Sequence, residues 1–368
     1  MKVRIEMAGQ GQPSFVIEFH RKAVTAITRS QQGIAALVLN DETLSENVKT
    51  YATFSDVKTD EVDAKTYKLL QMCFLGGPYK VILIKQQEEI ADTVALLKKL
   101  RFNYLAMPAA DAAGMTAIQD YLEKARKSLD AFGKAIFYKP STEADSQRII
   151  ELDGCENLKL NFTGTEESYT GAEYTCRIAG ILAGLSDTIS ATYTKLDEIV
   201  SCDILEDPDA AADAGHLIPL FKNGEYKLGR AVNSLTTLTD GVTADFQKIR
   251  IISTLDLIAE DIVTTFRDSY VGKYVNDYAN KVRFCGAINS YLQGLTPELL
   301  DENMTNKVSV SYDKNKAYLE GQGISTADMT TQQVLQYNTG SYVGLDGSCA
   351  PTDVMEDLDL DFNLFEEA

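Results

Sequence analysis

Histidine is scarce in this chain of 368 residues, which contains only His20 and His216. A Ser-His-Asp triad would need one of them, and no GxSxG sequence supplies the serine. Asp213 lies close to His216 in the sequence, but we interpret His216 as a turn or surface histidine rather than as a catalytic base. The sequence therefore predicts no catalytic residue, and an enzyme with an unrecognised active site stays open as an alternative.

Signatures of cofactor and metal binding are also missing. No GxxxxGK[ST] or GxGxxG sequence follows an expected strand, so no loop is indicated that would cradle a phosphate. The six cysteines are Cys73, Cys155, Cys176, Cys202, Cys285 and Cys349. They form no CxxC pair, and such scattered spacing predicts reduced, mostly buried thiols rather than a zinc site or a disulfide framework. We expect no cofactor and no metal ion.

Basic residues are outnumbered, with 35 Lys and Arg against 54 Asp and Glu, for a formal net charge of −19. This balance disfavours nucleic acids and anionic membranes as general partners. No apolar run approaches the roughly 20 residues of a membrane span, and the N-terminus has no apolar core of signal-peptide length. With 45% hydrophobic residues, the chain can bury a large core. We expect a globular protein without nucleic-acid binding or direct membrane insertion.

No lysine or arginine follows Lys316, and the end of the chain alternates apolar and acidic residues. In an extended strand the apolar face would carry Leu358, Leu360, Phe362 and Leu364, and the opposite face Asp357, Asp359 and Asp361. This period of two is typical of a half-buried strand. Since no turn and second strand follow in this sequence, we expect the pairing strand to come from far back in the chain or from another molecule.

Energetic arguments favour another molecule. Burying the four apolar side chains does not offset the conformational entropy lost on ordering the segment, whereas ladder hydrogen bonds on both edges of an inserted strand can close the deficit. A similar pattern near the N-terminus places Phe15, Ile17 and Phe19 on one face. We therefore predict that both ends are arms that become strands in neighbouring copies, the acidic arm being steered by basic residues near an N-terminus. Such heterologous contacts propagate as rings or helical filaments.

The sequence between the arms alternates strand and helix patterns. The expected strands are 33–41, 79–84, 102–107, 134–138 and 158–162, and the expected helices are 60–74, 88–100, 114–132 and 169–185. This α/β order predicts a mainly parallel sheet covered on both faces. After about residue 240, Ser253 and Asp256 indicate a helix cap. Two amphipathic helices follow, and 307–312 is predicted as a strand.

Several segments resemble one known family. They include LLQMCFLGGPYKVILIK (69–85), RAVNSLTTL (230–238), YVGKYVNDY (270–278) and the closing MEDLDL (355–360), and the resemblance covers nearly the whole chain. On these segments the chain resembles the contractile tail sheath proteins of phages, defective prophage tails and tail-like bacteriocins, in their compact form. The resemblance implies a central subtilisin-like α/β domain with a small N-terminal domain, a C-terminal α+β domain and extended terminal strand arms.

The domains implied by the resemblance are an N-terminal arm (1–22), an N-terminal domain (23–87), a subtilisin-like α/β domain (88–240), a C-terminal sheath domain (241–345) and a strand-donating C-terminal arm (346–368). The implied function is structural and not enzymatic: subunits polymerise as stacked hexameric rings around a tail tube and contract to drive it through a target cell envelope. The implied partners are other copies of the chain, the tail tube protein, and baseplate and tail terminator proteins. The implied location is a virion tail or phage tail-like particle that is assembled in the host cytoplasm.

Basic residues of the C-terminal helices and their lead-in are the candidates for contact with the tube. They are Lys248, Arg250, Arg267, Lys273, Lys281 and Arg283. Each could instead belong to a solvated helix face or an internal ion pair, and Arg230 and Asn233 in the RAVNSLTTL segment could be structural hydrogen-bonding residues. A different self-assembling shell or surface-layer protein is a further alternative, since it also uses donated strands.

Overall fold

The computed structural model describes residues 26–27, 29, 32–140 and 144–362. The strands are β1 (Ile34–Leu39), β2 (Val48–Tyr51), β3 (Lys80–Lys85), β4 (Tyr104–Ala106), β5 (Lys134–Tyr138), β6 (Ile149–Leu152), β7 (Lys159–Leu160), β8 (Glu167–Ser168), β9 (Ile199–Ser201), β10 (His216–Leu217), β11 (Pro219–Lys222), β12 (Glu225–Leu228), β13 (Lys307–Val310) and β14 (Leu345–Ser348). The α-helices are α1 (Ala64–Phe74), α2 (Ile90–Leu97), α3 (Ala112–Lys127), α4 (Gly171–Gly184), α5 (Pro208–Asp213), α6 (Ile249–Thr265), α7 (Tyr278–Gly294), α8 (Tyr312–Gly321) and α9 (Thr331–Gln336). A π-helical turn, Phe266–Tyr270, continues α6.

Seven strands form one sheet in the order β10-β6-β5-β4-β1-β3-β2. Every neighbouring pair in it is parallel except β2 with β3. Strand β1 lies between β3 and β4, with Ala35 opposite both Val81 and Tyr104. Because both edges and both faces of β1 are covered, its sequence IAALVL is apolar and buried throughout. The prediction of a mainly parallel sheet is confirmed.

Helices cover the two faces of this sheet. On one face, Leu70 of α1 and Tyr174 of α4 belong to one hydrophobic core. On the other face, Leu97 of α2 and Ile118 of α3 belong to a second core. The chain therefore has the layered α/β architecture that its sequence predicts.

Helices α1 and α4 pack with their backbones in contact. A Cβ atom added at Gly180 would lie 1.9 Å from the carbonyl oxygen of Cys73, and one added at Gly184 would lie 1.8 Å from that of Gly76. Backbone atoms cannot move aside as the end of a flexible side chain can. The small residues of α4 are therefore a packing requirement, which explains the composition of the segment YTGAEYTCRIAGILAGL.

We expect Gly180→Ala to lower the free energy of unfolding by about 3 kcal/mol, because the added methyl group forces α1 and α4 apart. Urea unfolding of the dispersed subunit measures this loss. The matched control is Gly286→Ala in α7, where an added Cβ meets nothing within 4 Å. Removing a glycine from a helix interior stabilises by roughly 0.5–1 kcal/mol, so the control should unfold at an equal or higher urea concentration. An unchanged midpoint for Gly180→Ala would contradict the contact.

The predicted continuation of the main sheet through residues 158–162 is wrong. The strand that follows β5 in the sheet is β6, whereas β7 pairs antiparallel with β8 and β9 in a separate three-stranded sheet. Strand β6 was not predicted because its sequence, IIEL, contains Glu151 where a buried strand is expected to be apolar. The Glu151 side chain is nevertheless buried, and its carboxylate accepts a hydrogen bond of 2.7 Å from the Ala144 N–H.

The predicted boundary at residue 87 does not separate two domains. Strands β1, β2 and β3 come from the predicted N-terminal domain, yet β1 pairs with both β3 and β4. A hydrogen-bonded sheet is one structural unit, so residues 32–87 belong to the same α/β body as the strands that follow. Local patterns predicted β1 and β3, but neither β2 nor the order of the strands in the sheet.

The predicted start of the first C-terminal helix at Ser253 is also wrong, because α6 begins at Ile249. The Ser253 hydroxyl donates to the Ile249 carbonyl at 2.8 Å and lies 2.9 Å from the hydroxyl of Tyr104 in β4. Asp256, the predicted partner of that cap, is buried instead of exposed in a first turn. Both side chains connect α6 to the α/β body.

The C-terminal elements form a third hydrophobic core. Leu257 of α6, Phe284 of α7 and Leu300 belong to it, and the predicted strand at 307–312 is present as β13. All six cysteines are free, with Cys349 the exposed one, as their spacing predicts. Among the described helices, none combines the length and the apolar composition that crossing a bilayer requires.

Candidate assembly site at the root of the C-terminal arm

The free part of the C-terminal arm begins at residue 353 rather than at 346 as predicted. Residues 345–348 are tied to the body as β14, which pairs antiparallel with β13. Farther along, the Ala350 carbonyl accepts the Asp301 N–H at 2.9 Å, and the Thr352 N–H donates to the Leu299 carbonyl at 3.0 Å. We call residues 353–362 the free arm, since the structure describes no helix or strand there.

The apolar side chains of the free arm face solvent. The exposed fractions are 87% for Leu358, 59% for Leu360 and 81% for Phe362, and Asp357, Asp359 and Asp361 are exposed as well. Leu364, the last apolar residue of the predicted strand, lies outside the described residues. Within the described chain, the alternating segment thus has neither a pairing strand nor cover for its apolar face.

Glu356 fixes the free arm to the body through a buried carboxylate. Its side chain is 7% exposed and accepts hydrogen bonds from Lys248, from Thr192 Oγ1 at 2.6 Å and from Ser190 Oγ at 3.3 Å. Burial alone would raise the pKa of Glu356, but the hydrogen bonds from Lys248 and Thr192 outweigh it and hold the pKa below its ordinary value. The arm is therefore held to the body at its start. We call residues 352–357 the root of the arm.

Arg230 connects two of the segments that carry the family resemblance. Its guanidinium donates to both carboxylate oxygens of Asp357, at 2.8 and 3.1 Å, and to Glu356 at 3.4 Å. Asn233 of the same segment has a structural role, since its amide donates to the Phe246 carbonyl at 2.8 Å. The RAVNSLTTL and MEDLDL segments therefore meet in space, 127 positions apart in the chain.

Two of the candidates for contact with the tube, Lys248 and Arg250, contact the root of the arm. Lys248 lies 3.4 Å from an Asp353 carboxylate oxygen, in addition to its bond with Glu356. Arg250 is buried and donates to the Thr352 carbonyl and, at 3.1 Å, to the Glu298 carbonyl. Their charges hold the arm in place within the chain.

The other four residues of that set lie between the end of α6 and the first half of α7. Their described contacts are Lys281 with Thr339 Oγ1 (2.7 Å), Arg267 with Asp130 (3.1 Å), Lys273 with the Asp268 carbonyl, and Arg283 with Asn280 Oδ1 (3.0 Å). Lys281 is buried, whereas Arg267, Lys273 and Arg283 are exposed. Contact with a tube stays a prediction.

The β13–β14 ribbon has one edge blocked by a side chain and one edge that is open at Gly347. On the outer side of β13, the Asn289 amide bonds to both the N–H and the carbonyl of Val308, at 2.6 and 3.0 Å. Val308 lies opposite Gly347, so the N–H and carbonyl of Gly347 point away from β13, as alternation in an antiparallel ladder requires. No described residue hydrogen-bonds to these two groups. The edge available for another strand is therefore that of β14 at Gly347, while the Leu345 carbonyl on the same edge accepts a hydrogen bond from Lys314 Nζ.

The described chain preceding β1 is also fixed to the body. Ile27 belongs to the C-terminal hydrophobic core, and Arg29 donates to Asp187 at 2.8 Å. Asp187 lies on the loop between α4 and β9 that also carries Ser190 and Thr192, which bind Glu356. This loop therefore contacts both the described segment that precedes β1 and the start of the C-terminal arm. The predicted strand residues Phe15, Ile17 and Phe19 lie outside the described residues.

We expect Glu356→Ala to lower the free energy of unfolding by about 1–3 kcal/mol, because it leaves the partly buried Lys248 without its closest acceptor. Urea unfolding measures this loss, and amide hydrogen exchange at residues 353–357 should accelerate. Asp359→Ala, which removes an exposed acid from the same arm, serves as the control. It should change neither the free energy of unfolding nor the exchange rates at residues 353–357. If Glu356→Ala behaved like that control, the carboxylate would not be the anchor.

His216 lies on β10, 3.6 Å from carboxylate oxygens of both Glu151 and Asp153. No described serine, cysteine or threonine is hydrogen-bonded to it in a nucleophile arrangement. In the described part of the chain there is no group of three or more His, Cys, Asp or Glu side chains that could hold a metal ion.

Solved structures of sheath proteins share this fold. The helical sheath of the anti-feeding prophage in its contracted state has a TM-score of 0.68 and 14% identity, covering 96% of this chain and 99% of that chain. The sheath complex of the extracellular contractile injection system PVC, also contracted, has a TM-score of 0.66 and 14% identity over 97% and 98% of the two chains. The sheath tail protein of Desulfitobacterium hafniense has a TM-score of 0.65 and 15% identity over 80% and 93%. The fold is that of a tail sheath protein.

Sequence comparison identifies the family. Residues 242–331 match the phage tail sheath C-terminal domain. The tail sheath protein of Clostridium phage phiCD119 is 34% identical over 357 residues, covering 94% of this chain and 97% of that protein. The chain therefore belongs to the tail sheath protein family and is a structural subunit of a contractile sheath.

Proposed function

We propose that this chain polymerises as stacked six-membered rings around a tail tube, and that contraction of the polymer drives the tube through a target cell envelope. The observation that carries this proposal is the free arm, whose apolar face is exposed while its root is fixed at Glu356. A fixed root with an uncovered strand pattern is suited to donation into another copy.

The acceptor in the neighbouring copy is the open edge of β14. A donated strand at this edge forms backbone hydrogen bonds with the N–H and carbonyl of Gly347. It extends the β13–β14 ribbon to three strands. Because donor and acceptor are different surfaces, each copy gives one strand and receives another, which generates a helical polymer. Rigid bodies joined in this way can slide and rotate without releasing their arms.

The sheath acts with other tail components and catalyses no reaction. Its partners are the tail tube protein, the baseplate, and a tail terminator, and it is part of a virion tail or phage tail-like particle assembled in the host cytoplasm. Similarity to the anti-feeding prophage baseplate, with a TM-score of 0.64 over 97% of this chain, supports the baseplate contact. The exposed bases Arg267, Lys273 and Arg283 remain candidates for the tube.

Negative-stain electron microscopy of the purified full chain tests the proposal. Hollow striated tubes are the expected result. Flat sheets would instead indicate a surface-layer protein, and particles that stay dispersed at every concentration, with or without the tube protein, would contradict self-assembly and favour an enzyme on the α/β body.

A further inference from the structure

The α/β body has a surface groove between α2 and α3, with a volume of about 940 Å³. Its apolar lining includes Ile90, Val94 and Leu100, which are only partly buried. The Tyr121 hydroxyl of α3 donates to the Leu97 carbonyl of α2 at 3.3 Å, so the two walls are joined before any occupant arrives. A preformed apolar groove on the surface is typical of an interaction site.

Four lysines lie at one end of this groove. Helices α2 and α3 each connect two parallel strands, so they run in the same direction and their C-terminal ends lie together. Lys98 and Lys99 follow α2, and Lys124 and Lys127 lie in the last turn of α3. All four are exposed, and their ammonium groups have no hydrogen bond or ion pair with a described residue. We call these residues the lysine cluster.

The lysine cluster is not used within the described part of the subunit. The neighbouring Arg101 and Arg126, by contrast, bind Glu260 and Asp256 of α6 at 2.6 and 2.9 Å. On a chain whose formal net charge is −19, four lysines without a counterion form a local basic surface. Charge complementarity therefore favours an acidic occupant that also brings an apolar side chain for the groove.

One exposed segment of the chain has both properties. No lysine or arginine occurs between residues 196 and 221. Within this stretch Ile204 is 42% exposed, and the exposed acids are Asp203, Glu206, Asp207, Asp209 and Asp213. We call residues 203–213 the acidic segment. The C-terminal arm has a similar composition, but the proposed assembly already pairs it with β14.

The groove and the acidic segment lie on opposite faces of the main sheet. Ile90 and Val94 pack on the core that α2 and α3 cover. Ile199 and Cys202, which lead into the acidic segment, belong to the core under α1 and α4. A single copy therefore cannot bring the two surfaces together. Because the surfaces differ, each copy in an assembly can bind one neighbour with its groove and another with its acidic segment.

We infer that the acidic segment of a second copy docks in the groove between α2 and α3. Ile204 of that copy enters the apolar groove, and its exposed acids Glu206 and Asp209 face the lysine cluster. This contact joins two α/β bodies directly. It adds to the donated strand and does not replace it. The inference rests on the proposed self-assembly, for which it names a second interface between copies.

Charge exchange between the two surfaces tests the inference. Lys98→Glu with Lys124→Glu reverses the lysine cluster, and Glu206→Lys with Asp209→Lys reverses the acidic segment. Each reversal alone should raise the subunit concentration needed for tube assembly about tenfold or more, because attraction becomes repulsion. The two reversals combined restore the attraction and the net charge of the unmodified chain, so assembly should return to within about threefold of normal.

The matched control combines the lysine reversal with Glu302→Lys and Asp328→Lys, which replace two exposed acids elsewhere on the chain. This variant has the net charge of the unmodified chain but no new attraction at the groove. It should assemble as poorly as the lysine reversal alone. Circular dichroism verifies that every variant is folded.

Disulfide trapping in assembled particles tests the position of Ile204. The background carries Cys349→Ser, because Cys349 is the exposed cysteine, and Val94→Cys is combined with Ile204→Cys. Oxidised tubes should give a ladder of linked subunits on a non-reducing gel, and dispersed subunits should give none. The control pairs Val94→Cys with Leu238→Cys, another exposed apolar position, and should give no ladder.

The outcomes separate the two proposals. Absence of tubes from the unmodified chain would contradict the proposed function itself. Normal assembly after either reversal, equal recovery in the charge control, or tubes that give no ladder would overturn the docking of the acidic segment and leave the sheath function standing.

Discussion

Deletion of residues 354–368 is expected to give subunits that fold normally and do not polymerise, even at concentrations where the full chain forms tubes. The three hydrophobic cores contain no described residue of this segment, so the body keeps its packing. In the proposed assembly, the deletion removes the strand that each copy donates, and with it the contact that links copies. Analytical ultracentrifugation and negative-stain microscopy measure assembly, and circular dichroism verifies the fold.

A substitution variant separates the donated strand from its anchor. Replacing Leu358, Leu360 and Phe362 together by serine keeps Glu356 and Asp357 in place but removes the apolar face. This variant should also fail to polymerise, while its unfolding midpoint stays at that of the full chain, because these side chains are exposed in the free subunit. Normal tubes from either variant would refute the assignment of the arm.

Asp256→Ala is expected to have the largest effect on stability. The Asp256 carboxylate is buried in α6 and accepts hydrogen bonds from Lys134 at 2.8 Å, Arg148 at 2.6 Å and Arg126 at 2.9 Å. Lys134 and Arg148 are themselves buried, so removal of the carboxylate leaves two charges without a counterion. Breaking such a buried pair costs roughly 3–5 kcal/mol. Urea unfolding measures this loss in the free energy of unfolding.

The matched control is Asp120→Ala, since Asp120 is an exposed acid on α3. Its unfolding free energy should change by no more than about 0.5 kcal/mol. Equal midpoints for Asp256→Ala and this control would show that α6 is not held to the sheet by this cluster.

The same cluster has a defined pH dependence. Burial alone would raise the pKa of Asp256, but the charges of Lys134 and Arg148 outweigh it and lower the pKa below its ordinary value. The contribution of Asp256 to stability is therefore fully present above the pKa of an unfolded aspartate, about 3.9, and is lost as the pH falls through the lower folded value. Between neutral pH and about 5, Asp256 adds no pH dependence.

Local patterns in the sequence were sufficient for strands β1, β3, β4 and β5, for helices α1 to α4 and for the alternation at the C-terminus. Strand β5 and the strand at 307–310 were predicted from runs of a few residues, because side-chain period is a local property. The place of β1 between β3 and β4 was not predicted, since strand order depends on contacts between distant segments. Strand β6 was missed because Glu151 interrupts its apolar pattern.

The contacts at the root of the arm also join distant segments, so local sequence patterns did not predict them. The family resemblance made Lys248 and Arg250 candidates for contact with the tube, with an internal ion pair as the alternative, and in the structure they contact Glu356 and the Thr352 carbonyl more than a hundred positions away. One signal pointed toward this outcome: the chain after Lys316 contains no base. An acidic segment that has no basic residues nearby in the sequence is expected to form ion pairs with basic residues from an earlier part of the chain.

Amide hydrogen exchange at residues 358–362, compared between dispersed subunits and assembled tubes, tests the central claim most directly. We predict fast exchange in the subunits, where these amides belong to no described helix or strand, and strong protection in the tubes, where they pair with a neighbour's β14. Strong protection in dispersed subunits, or fast exchange in intact tubes, would contradict strand donation by the arm.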